Sequence, residues 1–218
     1  MGKKKKQFIV LGLGRFGRSV ATTLHEMGYT VLGIDRDEAI VQSTAKSLTN
    51  VMQLNIGDSD GLAEVDVGQF DAAVIAVKEL ESSLMCTMLC QEAGVQEIIV
   101  KAINERHAKM AEKLGASRII FSERDMGRRV AHRLALRNVL DYIELDSSIH
   151  MVTMKVSQKF VGRTLMAIDL RKNYQLSVIV IRHHGEDIFP PDPHYVFALG
   201  DEMVMAGRMD SIKRLELE

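Results

Sequence analysis

The sequence of 218 residues has only two cysteines, three prolines and no tryptophan. The cysteines, Cys86 and Cys90, are four positions apart, which differs from the C-x-x-C spacing of redox and zinc pairs, and two cysteines cannot form a disulfide framework. We interpret them as small apolar residues of the core. No apolar run approaches the roughly 18 residues of a membrane-spanning helix. The N-terminus leads directly into an apolar run and a glycine turn, which does not fit a signal peptide. We therefore expect a cytoplasmic protein.

The sequence also lacks an excess of charge of one sign. It has 28 lysines and arginines against 29 aspartates and glutamates, a formal net charge of −1. This balance gives no reason to expect attraction to nucleic acid. Hydrophobic residues make up 46% of the chain and charged residues 26%, which is typical of a folded globular protein.

The motifs that mark common catalytic sites are missing as well. No tyrosine is followed by lysine at the fourth position, as short-chain dehydrogenases require, and there is no Gly-x-Ser-x-Gly nucleophile elbow. No histidine, cysteine and carboxylate cluster has metal-ligand spacing. His183 and His184 precede Gly185, which favours a surface turn over a metal or proton-transfer site. We therefore expect a protein that is not an enzyme.

The first two thirds of the chain alternate short apolar runs with amphipathic stretches. The runs predict strands at 7–11, 30–34, 51–55, 72–77, 97–101 and 117–120, and the stretches predict helices at 18–27, 37–46, 81–92 and 105–114. Strands that alternate with helices in this way indicate a doubly wound α/β fold with a parallel sheet.

The pattern changes after residue 137. We predict a basic amphipathic helix at 125–139, strands at 151–156, 176–181 and 202–206, and a short helix at 165–172. All three prolines lie at 189–194, which indicates a loop because proline interrupts a sheet ladder. The sequence thus predicts a second, small α+β domain at the C-terminus.

A G-x-G-x-x-G motif follows the first predicted strand. Gly12 allows a tight turn, Gly14 lets a pyrophosphate approach the backbone, and Gly17 allows helix and strand to pack closely. Asp35 ends the second predicted strand, where an acid accepts hydrogen bonds from ribose hydroxyls and disfavours a 2′-phosphate. The motif therefore predicts binding of a nucleotide other than NADP. It does not distinguish NAD from ATP, ADP or AMP.

Arg15 lies inside this glycine loop. Its guanidinium suits an ATP γ-phosphate, although a phosphate on the nicotinamide side is an alternative. It is otherwise a solvent-exposed arginine at the start of a helix, where its charge opposes the dipole.

Five segments together resemble the RCK family (regulators of potassium conductance), especially the gating subunits of Ktr/Trk-type potassium uptake systems. They are residues 12–17, 100–102, 115–120, 122–127 and 200–207. The resemblance implies a Rossmann-like N-domain at 1–138, with a crossover helix at about 123–138, and a ligand-binding and dimerisation domain at 139–218. It also implies dimers that assemble into an octameric ring beneath a membrane potassium-translocating subunit, on the cytoplasmic face of the membrane.

The resemblance also implies roles for individual residues. The loop with Gly12, Gly14, Phe16 and Gly17 would hold the phosphates and Asp35 the ribose. Arg15 would reach the γ-phosphate, from its own or the neighbouring subunit, with Lys101 nearby. Glu123 resembles a glutamate that coordinates a divalent cation or Na⁺ at the dimer interface. An acid in the first turn of a helix explains Glu123 equally.

Some relatives bind cyclic di-AMP between C-terminal domains. The residues that would correspond are Leu165, Met166, Asp169, Arg171 and Leu176. An amphipathic helix that packs on the small domain explains the same pattern. We therefore expect a potassium-transport regulator that responds to ATP and ADP. The alternative is an NAD(H)-binding redox sensor or dehydrogenase.

Overall fold

The computed structural model describes residues 5–56 and 65–216. The chain divides into two compact units, Met1–Ser122 and Glu123–Glu218. No helix among the described residues is long and apolar enough to cross a membrane.

The N-terminal unit contains a parallel sheet with the strand order β3-β2-β1-β4-β5-β6. Its strands are β1 (Gln7–Leu11), β2 (Thr30–Asp35), β3 (Asn50–Gln53), β4 (Ala72–Ile75), β5 (Glu97–Lys101) and β6 (Arg118–Ile120). Its helices are α1 (Arg15–Glu26), α2 (Glu38–Thr44), α3 (Leu80–Glu92) and α4 (Glu105–Lys113), and a 3-10 turn spans Val67–Gln69. This arrangement confirms the predicted Rossmann-like, doubly wound fold.

The central strands of this sheet are buried on both faces. All four residues of β4 are buried, and two separate apolar clusters pack against the strands, one built around Ile9, Ile34 and Ile75 and the other around Val10, Leu13 and Val74. Strands covered on both faces are rich in apolar residues without alternation, which is why their positions could be predicted.

The two cysteines lie within the larger of these clusters. Cys86 and Cys90 on α3 have no exposed surface, and burial raises the pKa of each thiol to about 12. Both thiols therefore stay protonated at neutral pH, as expected for packing residues.

The order of strands creates a crevice at one edge of the sheet. The chain leaves β1 for β2 on one side and returns to β4 on the other. The carboxyl ends of β1, β2 and β4 consequently border a crevice at the topological switch point, which is where open α/β sheets bind ligands.

The C-terminal unit contains an antiparallel sheet with the order β10-β9-β11-β8-β7. Its strands are β7 (Val139–Glu144), β8 (His150–Lys155), β9 (Ser177–His183), β10 (Glu186–Ile188) and β11 (Glu202–Gly207). The helices are α5 (Ser122–Ala135), whose first residue closes the preceding unit, α6 (Leu165–Ile168), α7 (Leu170–Tyr174) and α8 (Met209–Glu216). The predicted small α+β domain is therefore confirmed.

Several predicted bounds in this region are wrong. The helix predicted at 125–139 ends at Ala135, and Val139 begins β7 instead. The helix predicted at 165–172 is broken at Asp169, which has a left-handed φ of 44°. Strands β7 and β10 and helix α8 were not predicted. His184 and Gly185 also have positive φ and form the turn between β9 and β10, as the sequence indicated.

Candidate nucleotide-binding site

The crevice at the switch point is lined by residues that follow four parallel strands. They are Gly12 and Gly14 after β1, Asp35 at the end of β2 with Arg36, Asp37 and Ile40 after it, Asn55 and Ile56 after β3, and Ala76, Val77, Lys78, Glu79 and Ser82 after β4. The crevice thus combines backbone groups, apolar side chains and charges of both signs.

Each glycine of the loop meets a different spatial requirement. Gly12 has a φ of 91°, and a Cβ at this position would lie 2.9 Å from the carbonyl carbon of Ala76. A Cβ on Gly17 would lie 1.8 Å from the Gly12 carbonyl oxygen, so only glycine lets α1 pack against the loop. Gly14 has no atom within 4 Å of the corresponding point. The space beside Gly14 is therefore open to a ligand.

Helix α1 begins without any side-chain cap. Its N-cap is Gly14, and its first turn has no acidic residue. The first N–H groups of a helix have no partner within the helix, and its dipole favours negative charge at this end. A phosphate supplies both a set of acceptors and that charge. The glycine loop therefore fits the phosphates of a nucleotide.

Asp35 is almost fully buried and is held by two backbone donors. Its Oδ2 accepts a hydrogen bond from the Leu13 N–H at 2.6 Å, and its Oδ1 accepts one from the Asp37 N–H at 3.0 Å. Each carboxylate oxygen has a second lone pair, so the group can still accept hydrogen bonds from ribose hydroxyls. Because the Leu13 N–H donates to Asp35, the first loop N–H that could face a phosphate is that of Gly14.

The other predicted nucleotide ligands lie around the loop and do not line the crevice. Arg15 is the first residue of α1; its side chain is exposed and makes no hydrogen bond or ion pair with the described residues. Phe16 follows it, and the Lys101 ammonium group lies 5.9 Å from the centre of the Phe16 ring. Lys101 ends β5, so the sheet brings it to the same edge as the loop.

Sequence reasoning missed the residues on the far side of the crevice. Arg36 donates a hydrogen bond to Glu79, with Nη2 and Oε1 2.7 Å apart. Ile40, Ile56 and Val77 provide apolar surface in the same crevice. These residues lie on separate segments and no sequence motif connects them, so only the strand order shows that they meet.

Glu123 is the second residue of α5 and lies in its first turn together with Asp125. Residues 5–56 and 65–216 contain no group of three or more histidine, cysteine, aspartate or glutamate residues that could hold a metal ion. The role of Glu123 as a cation ligand stays a prediction.

The residues predicted for cyclic di-AMP lie together. Leu165, Met166, Asp169, Arg171 and Leu176 line one pocket of the C-terminal unit, with Pro191 and Pro193 of the proline loop among the other lining residues. Asp169 is also the N-cap of α7, where its side chain accepts a hydrogen bond from the Lys172 N–H. The pocket thus combines apolar surface with the exposed guanidinium of Arg171.

The fold and the crevice define a Rossmann-like unit with a candidate nucleotide site, joined to a small α+β unit. Two protein-family models match these parts, the TrkA-N domain over residues 8–122 and the TrkA-C domain over residues 149–218. The chain is 35% identical over 220 residues to Ktr system potassium uptake protein A of Bacillus subtilis (strain 168), covering 100% of this chain and 99% of that protein.

A second relative comes from another genus. The chain is 33% identical over 208 residues to Ktr system potassium uptake protein A of Vibrio alginolyticus, covering 95% of this chain and 94% of that protein. Among solved structures, the GsuK RCK domain is similar in fold, with a TM-score of 0.52, 15% identity, and 100% of this chain and 47% of that chain covered. The chain therefore belongs to the RCK family of potassium transport regulators, in the Ktr/Trk group.

Proposed function

We propose that this chain is the regulatory subunit of a Ktr/Trk-type potassium uptake system and that it gates a membrane potassium-translocating subunit in response to ATP and ADP. Membership of the family supports the role in potassium transport. The observation that carries the nucleotide response is the uncapped N-terminus of α1 beside the buried carboxylate of Asp35. The chain acts by binding and not by catalysis.

In this proposal, different residues at and around the crevice bind different parts of the nucleotide. The N–H groups from Gly14 onward bind the phosphates, and the open space at Gly14 lets the pyrophosphate approach. Asp35 accepts hydrogen bonds from the ribose hydroxyls and repels a 2′-phosphate. Arg15 pairs with the γ-phosphate of a nucleotide bound in its own subunit or in the neighbouring one, and Lys101 adds positive charge near the loop.

Gating requires that ATP and ADP bind differently to two conformations, because a ligand with equal affinity for both shifts nothing. The γ-phosphate is the chemical difference between the two nucleotides, and the exposed Arg15 side chain makes no ion pair with the described residues. We propose that this contact changes the angle between subunits of a dimer and so the shape of an octameric ring on the cytoplasmic face of the membrane.

Two further ligands belong to the same proposal. Glu123 would share a divalent cation or Na⁺ with the corresponding carboxylate of a second copy, since one carboxylate alone is an incomplete ligand set. The pocket that includes Met166 and Arg171 would bind cyclic di-AMP. There the Arg171 guanidinium pairs with a phosphate, and Leu165 and Leu176 pack against an adenine.

Calorimetric titration of the full chain with ATP, ADP, NAD⁺ and NADH tests the function. We expect ATP and ADP to bind more tightly than NAD(H). Replacement of Arg15 by alanine should weaken ATP binding at least tenfold more than ADP binding, since the loss of a charge-assisted contact costs about 1.5–3 kcal/mol. Arg18→Ala is the matched control, because Arg18 is exposed one turn further along α1. Tight NADH binding with negligible ATP binding would instead favour a redox sensor or dehydrogenase.

A further inference from the structure

An ion pair spans the crevice at the switch point. Arg36 follows β2 immediately after Asp35, and Glu79 is the N-cap residue of α3 after β4. Their side chains meet with Nη2 and Oε1 2.7 Å apart although the residues are 43 positions apart in sequence. Both residues line the crevice, so the pair joins its two sides.

The ion pair does little for the fold. The Arg36 side chain is 62% exposed and that of Glu79 is 47% exposed, and exposed ion pairs contribute little to stability. Glu79 does not use its side chain to cap α3. The carboxylate instead restricts where the Arg36 guanidinium can lie, and it keeps that group at the crevice.

The surroundings of the pair suit a flat aromatic ring. Ile40, Ile56 and Val77 contribute apolar surface to the same crevice. A guanidinium is planar and weakly hydrated, and it stacks on aromatic faces. A purine placed in this part of the crevice would have both aliphatic side chains and a planar cation available for packing. Asp35, one residue before Arg36, is tied to the glycine loop, so base and phosphates would lie on opposite sides of the ribose site.

We propose that Arg36 recognises the base of the bound adenine nucleotide by stacking its guanidinium on the purine ring, and that Glu79 is a positioning residue that holds Arg36 there. This inference rests on the proposed binding of an adenine nucleotide in the crevice. It assigns the base, which ATP, ADP and NAD(H) share, to a different arginine from the one that distinguishes ATP from ADP.

The test is calorimetric titration of the full chain and its variants with ATP, ADP and inorganic tripolyphosphate, which lacks the base. Arg36→Ala should weaken ATP and ADP binding by the same factor, about tenfold, and leave tripolyphosphate binding unchanged. Arg36→Lys keeps the charge without the planar group, so it should weaken ATP binding nearly as much as alanine does. Glu79→Gln should cause a smaller loss, again equal for ATP and ADP.

Arg106→Ala is the matched control, since Arg106 is an exposed arginine on α4 of the same unit. Thermal melting of each variant reports whether it folds. Equal weakening of ATP and tripolyphosphate, full rescue by lysine, or unchanged ATP binding in Arg36→Ala would each overturn the role of Arg36 in stacking.

The two proposals can fail separately. If the unmodified chain binds ATP tightly and Arg36→Ala binds it equally well, the stacking role fails and the proposed function stands. If the chain binds only NAD(H), the response to ATP and ADP fails, and the Arg36 variants are then titrated with NADH, which carries the same base. Binding of no nucleotide overturns both.

Discussion

The carboxylate of Asp35 accepts a hydrogen bond from the backbone N–H of Leu13, with 2.6 Å between Oδ2 and the nitrogen. This bond joins the end of β2 to the glycine loop that follows β1. Because Oδ1 accepts a second backbone bond from Asp37, both oxygens of a buried carboxylate face N–H donors. Asp35 therefore positions the loop in addition to any contact with ribose.

Asp35→Asn should destabilise the N-terminal unit. Whichever way the amide is turned, its NH₂ group faces one of the two N–H donors and leaves that donor without an acceptor. We expect a loss of about 1–3 kcal/mol in the free energy of unfolding, measured by urea denaturation. Asp71→Asn is the control, because Asp71 also accepts a backbone N–H, from Gln7, but at an exposed position. Equal losses in the two variants would contradict a structural role that depends on burial.

The sequence predicted the central strands of the parallel sheet well because they are short, apolar and buried on both faces, so hydrophobic runs alone mark them. The motif also singled out Gly12, Gly14 and Asp35, which line one crevice in the structure; their role in binding a nucleotide stays a prediction. The Arg36–Glu79 pair was beyond prediction. Its members lie 43 positions apart, and only the strand order brings them together.

The C-terminal unit was predicted less accurately for physical reasons. In strand β7 (VLDYIE), apolar residues alternate irregularly with the acidic residues Asp141 and Glu144. This pattern also fits the continuation of the preceding amphipathic helix. Asp169 adopts a left-handed φ, which aspartate does more often than most non-glycine residues but too seldom to mark the break between α6 and α7. Helix α8 buries its apolar face against the core of the unit, but it was not predicted from the sequence.

Gly14→Ala and Gly17→Ala should affect different properties, the first ATP binding and the second stability. At Gly14 the φ of −60° suits any residue and a Cβ has open space. The variant should fold normally, but the methyl group should hinder a pyrophosphate and weaken ATP binding at least tenfold. At Gly17 a Cβ would overlap the Gly12 carbonyl oxygen, so we expect a loss of at least about 3 kcal/mol in stability. Melting curves and ATP titration of both variants check this. A stable Gly17→Ala variant would show that α1 can move away from the loop.

His107 should make the N-terminal unit sensitive to acid. It is fully buried in the first turn of α4, its Nδ1 accepts a hydrogen bond from the Ile103 N–H at 3.2 Å, and its Nε2 has no partner among the described residues. Only a neutral imidazole can accept that bond, and burial lowers the pKa of His107 below its usual 6.5. The unfolded chain therefore binds the proton more readily. The stability that the neutral imidazole provides is present above about pH 6.5 and is lost as the pH falls through the lower folded pKa.

The measurement compares the free energy of unfolding of the unmodified chain with that of His107→Asn between pH 8 and pH 5. The asparagine Oδ1 can accept the same N–H but does not titrate, so the advantage of the unmodified chain should shrink toward pH 5. His25→Asn serves as the control, since the His25 side chain makes no hydrogen bond with the described residues. A difference that stays constant with pH would show that His107 does not set the acid sensitivity.

Asp201 should stabilise the loop between β10 and β11 by accepting hydrogen bonds from three donors. Its side chain is 1% exposed and accepts hydrogen bonds from the Ala198 N–H at 2.8 Å, the Tyr195 hydroxyl at 2.8 Å and His183 Nδ1 at 2.6 Å. Burial acts to raise the pKa of Asp201, but the bonds from Ala198, His183 and Tyr195 outweigh it and lower the pKa below 3.8. Burial, together with the bond to Asp201, raises the pKa of Tyr195 to about 12.

A carboxyl group with a lowered folded pKa stabilises the protein above its unfolded pKa, and that contribution is lost as the pH falls through the folded value. Asp201→Asn should therefore reduce the stability of the C-terminal unit at pH 7 by about 1.5–3 kcal/mol, the range for hydrogen bonds to a charged group, and the difference should narrow below pH 4. Asp187→Asn is the matched control, because Asp187 pairs with Arg182 at an exposed position and should cause a smaller change. Denaturation followed by tyrosine fluorescence at pH 7 and pH 3 measures both variants. If the loss in Asp201→Asn were the same at the two pH values, its origin would be packing and not the charge that the three donors stabilise.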